Sequence, residues 1–319
     1  MHQQKHRTHP ASPFASASSL GCLVLLVVLV VISIAMILLA AWQKDFTIAN
    51  LDKCGHGTVT PTTNLLPWAV CHVRRKTTNS QFIYGYGRQD VTYPHADPAG
   101  GFDKVLKILY PKNSINPKSG RVGGLGFYTS HVPLAKEGYV EYEVYFPEEF
   151  KWVKGGKLPG IYGGGKNECS GGDKALDCFS VRLMWRASSV GETYLYVPRT
   201  EQHPSLFQYP PRTIADPTYG ISLGRGGFKF RNDWNKVGIY VKLNTVGNQD
   251  GLLMVWIDDV IVVEFEKMVY RTLEGVQVTG IMFDTFFGGS KPGFEAAEDS
   301  VTYFRNLYLA ATMPERLLR

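Results

Sequence analysis

The segment VEYEVYF, residues 140–146, alternates apolar and polar side chains with the two-residue period of a β-strand. Its even-numbered positions are all apolar and share one face. Glu141, Glu143 and Tyr145 occupy the other face. This pattern predicts a strand that buries one side in a core and leaves the other side facing solvent.

The segment FSVRLMWR, residues 179–186, repeats this alternation. Its odd-numbered positions beyond the first predict a core face, and its even-numbered positions predict a polar face that carries two arginines. The predicted core face consists of Val181, Leu183 and Trp185, and the polar face consists of Ser180, Arg182, Met184 and Arg186.

Other short segments rich in β-branched and aromatic residues extend this pattern along the chain, and turn signals such as GNQDG at 247–251 separate them. No long helical periodicity appears beyond residue 42. Many short strands at this spacing predict an all-β fold, a jelly-roll β-sandwich. The further predicted strands are 193–197, 237–243, 252–257, 261–265, 278–287 and 302–309.

An uncharged apolar run at residues 20–42 precedes these strands and is long enough, as a helix, to cross a bilayer. Lys5 and Arg7 lie before it, which places the N-terminal side in the cytoplasm by the positive-inside rule. We therefore expect a single-pass type II protein with an extracellular domain, or a secreted one if the run is cleaved. The predicted parts are a cytoplasmic tail at 1–19, a transmembrane signal anchor at 20–42, a stalk at 43–79 and the jelly-roll domain at 80–319.

Composition and charge narrow the class of partner. The length of 319 residues suits one large all-β domain or two small ones. The content of 44% hydrophobic and 19% charged residues suits a globular protein with a substantial core. The formal net charge of +6 favours acidic partners. Because the basic residues are scattered rather than grouped in a block, no nucleic-acid partner is expected.

The five cysteines predict an oxidising compartment. Cys22 falls in the apolar run, and the other four form two local pairs, Cys54 with Cys71 and Cys169 with Cys178. Proximity along the chain predicts two disulfides. No CxxC spacing or histidine cluster accompanies them, so no metal site is expected.

A cluster of candidate site residues follows from the strand faces. Ser180 and Arg182 are neighbours on one strand face, as are Tyr194 and Tyr196 in ETYLYVP. If the two strands are adjacent in one sheet, these four side chains share a surface. Lys157 is the one charged residue in GGKLPGIYGGG, which we interpret as a glycine-rich loop that brings an ammonium to the same surface.

Several separated motifs give a resemblance to a known family. They are GGKLPGIYGG, FSVRLMW, ETYLYVP, WNKVGIYVKLNT, GNQDGLLMVWID and GIMFDTFFGGS, in that order. Over residues 139 to 309 the sequence resembles the alginate-lyase-like polysaccharide lyases of family 14. The resemblance implies a jelly roll with a cleft across one sheet. It places the family's active-site lysine, serine, arginine and two tyrosines on Lys157, Ser180, Arg182, Tyr194 and Tyr196.

The resemblance implies cleavage of a uronic acid polymer, of alginate or glucuronan type, by β-elimination. Arg182 would stabilise the enolate that develops when the C5 proton leaves, and Ser180 would orient the substrate. Lys157, Tyr194 and Tyr196 would share the roles of base and acid, and the sequence does not divide these roles among them. Since cationic side chains neutralise the carboxylate in this scheme, no metal or other cofactor is expected.

Two alternatives remain open at this point. The same patch could bind an acidic polysaccharide without cleaving it, because fold does not fix function. A glycoside hydrolase on a similar sandwich would use Glu141 and Glu143, whose spacing along a strand approaches that of paired catalytic carboxylates.

Overall fold

The computed structural model describes residues 82–118, 120–129, 135–164 and 169–317. All of them belong to one compact unit of the chain. The predicted tail, membrane segment, stalk and Cys54–Cys71 pair lie outside the described residues. Among those described, no helix is both long and apolar enough to cross a membrane.

The described chain is an all-β sandwich of two large antiparallel sheets, as the strand patterns predict. Four short 3₁₀ helices lie between its strands and a fifth follows the last one; they are Arg88–Asp90, Ala187–Ser189, Arg199–Glu201, Pro204–Gln208 and Glu315–Leu317. The strands are β1 (Phe82–Tyr86), β2 (Val91–Ala96), β3 (Lys104–Tyr110), β4 (Ser114–Ile115), β5 (Arg121–Val122), β6 (Leu125–Thr129), β7 (Glu137–Tyr145), β8 (Gly155–Gly164), β9 (Cys178–Arg186), β10 (Gly191–Tyr196), β11 (Ile214–Ala215), β12 (Ile221–Leu223), β13 (Trp234–Lys242), β14 (Gly251–Ile257), β15 (Val260–Met268), β16 (Val278–Phe287) and β17 (Ser300–Ala310).

Strand order shows that the chain crosses repeatedly between the sheets, as in a jelly roll. One sheet has eight strands in the order β1-β6-β16-β8-β9-β10-β12-β11, and the other has seven in the order β15-β14-β13-β7-β17-β3-β2. A small parallel pair, β4 with β5, lies apart from both sheets. The eight-stranded sheet will be called the cleft sheet, because the site described below lies on it.

The core lies between the inward faces of the two sheets. Both predicted alternations are confirmed, since the apolar faces of β7 and β9 are fully buried. The Tyr142 hydroxyl on β7 donates a hydrogen bond to the Pro159 carbonyl on β8 at 3.0 Å, which links the sheets through the core. The buried face residues are Val140, Tyr142 and Val144 on β7, and Val181, Leu183 and Trp185 on β9.

The glycine-rich stretch is a strand, so the prediction of a loop there was wrong. It forms β8, which lies between β16 and β9 in the cleft sheet. Its glycines leave room for large neighbours: a Cβ on Gly156 would lie 2.0 Å from the Trp185 ring, and one on Gly163 would lie 2.1 Å from the Phe179 ring. Aromatic rings that cover glycines on the neighbouring strand stabilise such a sheet. Lys157 is therefore carried by a rigid strand rather than by a loop.

We expect Gly156→Ala to destabilise the domain by about 1–3 kcal/mol, because the new methyl group would overpack the core against Trp185. Urea unfolding would measure the change. Gly275→Ala is the matched control, since a Cβ at Gly275 has no atom within 4 Å. Equal stability of the two variants would contradict this account of β8.

Candidate active site

A cleft of about 670 Å³ lies on the outer face of the cleft sheet, opposite the core face of β9. Its floor is built from six adjacent or nearby strands, and its walls come from loops that carry Asn116, Ser170, Tyr219 and Ser290. The groove contains both cationic and phenolic side chains. The floor side chains include Tyr86, Tyr128, Lys157, Arg182, Met184, Arg186, Tyr194, Tyr196, Asp284 and Phe286.

Strand register brings the predicted site residues together. In the cleft sheet β9 has β8 on one side and β10 on the other, so the three strands that carry the predicted residues are adjacent. Residues directly opposite each other on adjacent antiparallel strands have side chains on the same face. The register pairs Arg182 with Tyr194, Ser180 with Tyr196, and Met184 with Lys157.

Lys157 is buried in the cleft floor without a carboxylate in ion-pair distance among the described residues. Its Nζ lies 2.7 Å from the Met184 sulfur and 3.3 Å from the centroid of the Tyr194 ring. Burial, followed by the positive charges of Arg182 and Arg186, lowers the Lys157 pKa well below its usual value. The arrangement therefore favours a neutral amine that can accept a proton.

Arg182 is almost fully buried and forms an ion pair with Asp284 of β16, with 3.0 Å between Nη1 and Oδ2. The Tyr86 hydroxyl of β1 donates a hydrogen bond to Asp284 Oδ1 at 3.1 Å. Sequence reasoning missed both residues. The signal for Asp284 was an acid within the otherwise apolar and aromatic stretch GIMFDTFF, whereas Tyr86 carried no signal.

A second buried carboxylate, which the sequence analysis also missed, lies on β10, across β9 from the strand that carries Lys157. Glu192 of β10 is fully buried and pairs with Arg186 at 2.5 Å and with Arg225 at 2.8 Å. Ser222 donates a further hydrogen bond to Glu192 at 2.9 Å. This cluster fixes Arg186 at the edge of the cleft near Lys157.

The two tyrosine hydroxyls are held by backbone amides. Gly220 N–H donates to the Tyr194 hydroxyl oxygen, and Gly172 N–H donates to the Tyr196 hydroxyl oxygen, both at 3.1 Å. Each oxygen accepts in these bonds, so its own hydrogen is available for donation. Burial, more than any other influence, raises the Tyr194 pKa well above its usual value. Tyr194 therefore stays protonated at neutral pH.

Ser180 lies on the same strand face but does not line the cleft. It is fully buried, and its hydroxyl donates to the Cys169 carbonyl at 2.7 Å. Cys169 and Cys178 form a disulfide, which is the pairing predicted from proximity. The segment that the disulfide encloses includes Gly172. The disulfide and Ser180 therefore support the Gly172 amide, which holds the Tyr196 hydroxyl. In this arrangement Ser180 acts behind the cleft rather than at its surface.

We expect replacement of both Cys169 and Cys178 by alanine to cost about 2–3 kcal/mol of stability, by loss of the cross-link. Turnover should fall as well, because the Gly172 amide is no longer held against Tyr196. Urea unfolding and steady-state kinetics would measure these effects. Ser180→Ala keeps the disulfide and should show smaller losses of stability and turnover. A double cysteine variant with unchanged stability and turnover would refute the supporting role of the disulfide.

Glu141 and Glu143, the carboxylates of the hydrolase alternative, lie on β7 in the other sheet, on the face away from the core. Glu141 pairs with Arg316 and Lys236, and Glu143 pairs with Arg305. They are therefore surface ion-pair residues that do not line the cleft. The hydrolase alternative lacks its carboxylate pair at the cleft, and strand spacing alone was a misleading signal.

The protein is thus a jelly-roll β-sandwich with a cleft on one sheet that combines cationic and phenolic side chains. The family model of Polysaccharide lyase 14 matches residues 99–307, well over half of the chain. The chain therefore belongs to polysaccharide lyase family 14.

Solved structures of alginate lyases are similar to this chain. The family 14 alginate lyase of Aplysia kurodai is 32% identical, covers 73% of this chain and 90% of its own, and superposes with a TM-score of 0.64. The alginate lyase vAL-1 of a Chlorella virus is 24% identical over 67% and 87% of the two chains, with a TM-score of 0.57. Alginate lyase Aly36B in complex with an alginate trisaccharide is 23% identical over 66% and 82%, with a TM-score of 0.54. The last two show the fold alone. A comparison with curated protein sequences gave no match.

Proposed function

We propose that this protein is a polysaccharide lyase that cleaves a polyuronate by metal-independent β-elimination, with Lys157 as the base. The observation that carries the proposal is the buried, carboxylate-free lysine in a cleft that also holds an arginine and two hydrogen-donating phenols. Membership of polysaccharide lyase family 14 supports the reaction class.

In the proposed reaction the Lys157 amine takes the C5 proton of a bound uronate. A neutral amine can accept this proton, whereas a protonated one cannot, so the lowered pKa of Lys157 suits the role. The Arg182 guanidinium stabilises the negative charge that develops on the C6 carboxylate as the enolate forms. Its rigid ion pair with Asp284 presents that charge without reorganisation.

Tyr196 is proposed as the acid. The ring of Tyr194 already lies under Lys157 Nζ, which makes Tyr194 a platform for the base. The Tyr196 hydroxyl accepts the Gly172 N–H, so its hydrogen can go to the departing glycosidic oxygen. The C4–O bond breaks, a C4–C5 double bond forms, and both transferred protons are accounted for.

The test is incubation of the purified protein with alginate, glucuronan and a neutral glucan, with ultraviolet absorbance as the readout. Elimination creates an unsaturated, absorbing sugar end, and we expect it with a polyuronate and not with the neutral glucan. Addition of EDTA should leave the rate unchanged if no metal takes part. Binding of every polyuronate without any rise in absorbance would refute the lyase proposal and favour the binding-module alternative.

We also propose that residues 20–42 anchor the protein as a single-pass type II membrane protein with its lyase domain outside the cell. The uncharged apolar run and the basic residues before it support this proposal. In cells, the full chain should sediment with membranes and lose its lyase domain to protease added outside intact cells. A chain lacking residues 1–42 should not sediment with membranes. Protection of the domain in intact cells would refute the proposed orientation.

A further inference from the structure

The ion pair in the cleft gives Arg182 a fixed orientation. Its side chain is 1% exposed, and that of Asp284 is 8% exposed. Among the described residues, Asp284 is the acid within ion-pair distance of Arg182, and Arg182 Nε is buried without a hydrogen-bond partner there. A buried guanidinium needs such a partner, because removal of its counter-charge would leave it uncompensated in a low-dielectric site.

Tyr86 fixes the carboxylate in turn. Its hydroxyl holds one oxygen of Asp284 while Arg182 holds the other. Burial and then the nearby Asp284 charge raise the Tyr86 pKa well above its usual value, so Tyr86 remains a donor. Asp284 lies where the pairing of β16 with β8 is irregular, between Met282 and Phe286. Irregularities of this kind redirect side chains near active sites.

Asp284 also affects the charge around the lysine. Positive neighbours disfavour the protonated amine, and negative neighbours favour it. The paired acids offset nearby arginines: loss of Asp284 would leave Arg182 uncompensated, and loss of Glu192 would leave Arg186 and Arg225 uncompensated. The groups whose charges act on Lys157 are Arg182 and Arg186 from β9, Glu192 from β10 and Asp284 from β16. The Tyr194 ring lies against Lys157 Nζ, and the phenols of Tyr86 and Tyr128 line the same cleft.

We propose that Asp284, oriented by Tyr86, is a positioning residue that holds Arg182 for the substrate carboxylate and limits the positive charge around Lys157. This inference rests on the proposed lyase function. It carries a cost in binding, because the Asp284 charge repels the carboxylate of a uronate. Asp284 therefore favours turnover at the expense of affinity for the polyanion.

The test uses Asp284→Asn, which keeps the shape of the side chain but removes its charge and leaves one acceptor oxygen, so that one of the two hydrogen bonds from Arg182 and Tyr86 is lost. We expect kcat to fall about 10-fold and KM to stay equal or fall, because a negative charge has left a site for a polyanion. The acid limb of the pH profile, which is the fall of kcat/KM at low pH, should move to lower pH, since Lys157 becomes harder to protonate. Tyr86→Phe removes a hydrogen bond to Asp284 but keeps its charge, so it should lower kcat by less and leave KM and the acid limb nearly unchanged.

Asp97→Asn is the matched control. Asp97 is also buried and pairs with an arginine, Arg305 of β17 at 2.7 Å, but it does not line the cleft. Loss of this acid should leave KM and the acid limb unchanged. An Asp284→Asn variant that keeps the wild-type kcat and acid limb would overturn the proposal. So would a variant with reduced kcat, raised KM and an unmoved acid limb, because that pattern indicates a purely structural role.

A second readout does not depend on lyase activity. The pH dependence of Lys157 acetylation by acetic anhydride, followed by peptide mass spectrometry on the unliganded protein, reports protonation of Nζ directly. The midpoint should be lower in Asp284→Asn than in the wild type, and an equal midpoint would overturn the charge argument. If the wild type cleaves no polyuronate, the lyase proposal fails while this labelling result still decides the effect of Asp284 on Lys157.

Discussion

Lys157→Ala is expected to lower kcat on the preferred polyuronate by about 10³-fold, within the range that a general base contributes. The side chain lies in the cleft floor, 2.7 Å from the Met184 sulfur and over the Tyr194 ring, with no described carboxylate to hold its charge. The Tyr194 phenol, which lies against Lys157 Nζ, offers no second base, because burial keeps it protonated. Initial rates from the absorbance of unsaturated products would measure the loss.

Lys157→Arg should lose nearly as much activity, because a guanidinium stays protonated and cannot accept the C5 proton. Lys242→Ala, which removes an exposed strand lysine from the other sheet, is the control and should keep full activity. In the wild type, the neutral amine is the active form, so kcat/KM should fall as the pH drops through the lowered Lys157 pKa. An Arg variant with wild-type turnover would exclude Lys157 as the base.

Tyr196→Phe is expected to reduce kcat by about 10²–10³-fold with little change in KM, because the departing glycosidic oxygen loses its proton donor. The ring and its packing remain, and the one described hydrogen bond lost is the Gly172 N–H to the hydroxyl. Stability should therefore change little, by about 1 kcal/mol. Steady-state kinetics together with thermal unfolding would separate the chemical effect from the structural one.

Tyr194→Phe is the matched comparison on the same strand. It keeps the aromatic face under Lys157 and removes a hydroxyl that holds the Gly220 amide. We expect a loss of less than about 10-fold, because the variant retains the platform for the base. If Tyr194→Phe proves the more damaging substitution, the acid role belongs to Tyr194 instead of Tyr196.

Strand faces were predictable because alternation is a local property of the chain. The periodicity of residues 179–186 alone predicted that Arg182 and Ser180 share a face opposite Trp185. The same rule predicted the common face of Tyr194 and Tyr196. Adjacency of these two strands, on which the site depends, was an assumption that the sheet order confirms.

The glycine-rich stretch shows where local rules fail. Glycine predicts turns and loops because its backbone is permissive. Here the glycines make room for Trp185 and Phe179 across a strand pair, and nothing within residues 155–164 reveals those partners. Tertiary packing therefore overrides a strong local preference.

The sequence by itself determined the all-β class, the inward and outward faces of the strands, and the cationic and phenolic chemistry of the cleft. Only the tertiary structure decided that Ser180 lies behind the cleft, that Glu141 and Glu143 belong to the other sheet, and that Asp284 and Tyr86 hold Arg182. The physical reason is distance along the chain: 102 positions separate Arg182 from Asp284 and 198 separate Tyr86 from Asp284. A face is set by neighbours two residues away, whereas a buried ion pair is set by which strands the whole fold brings side by side.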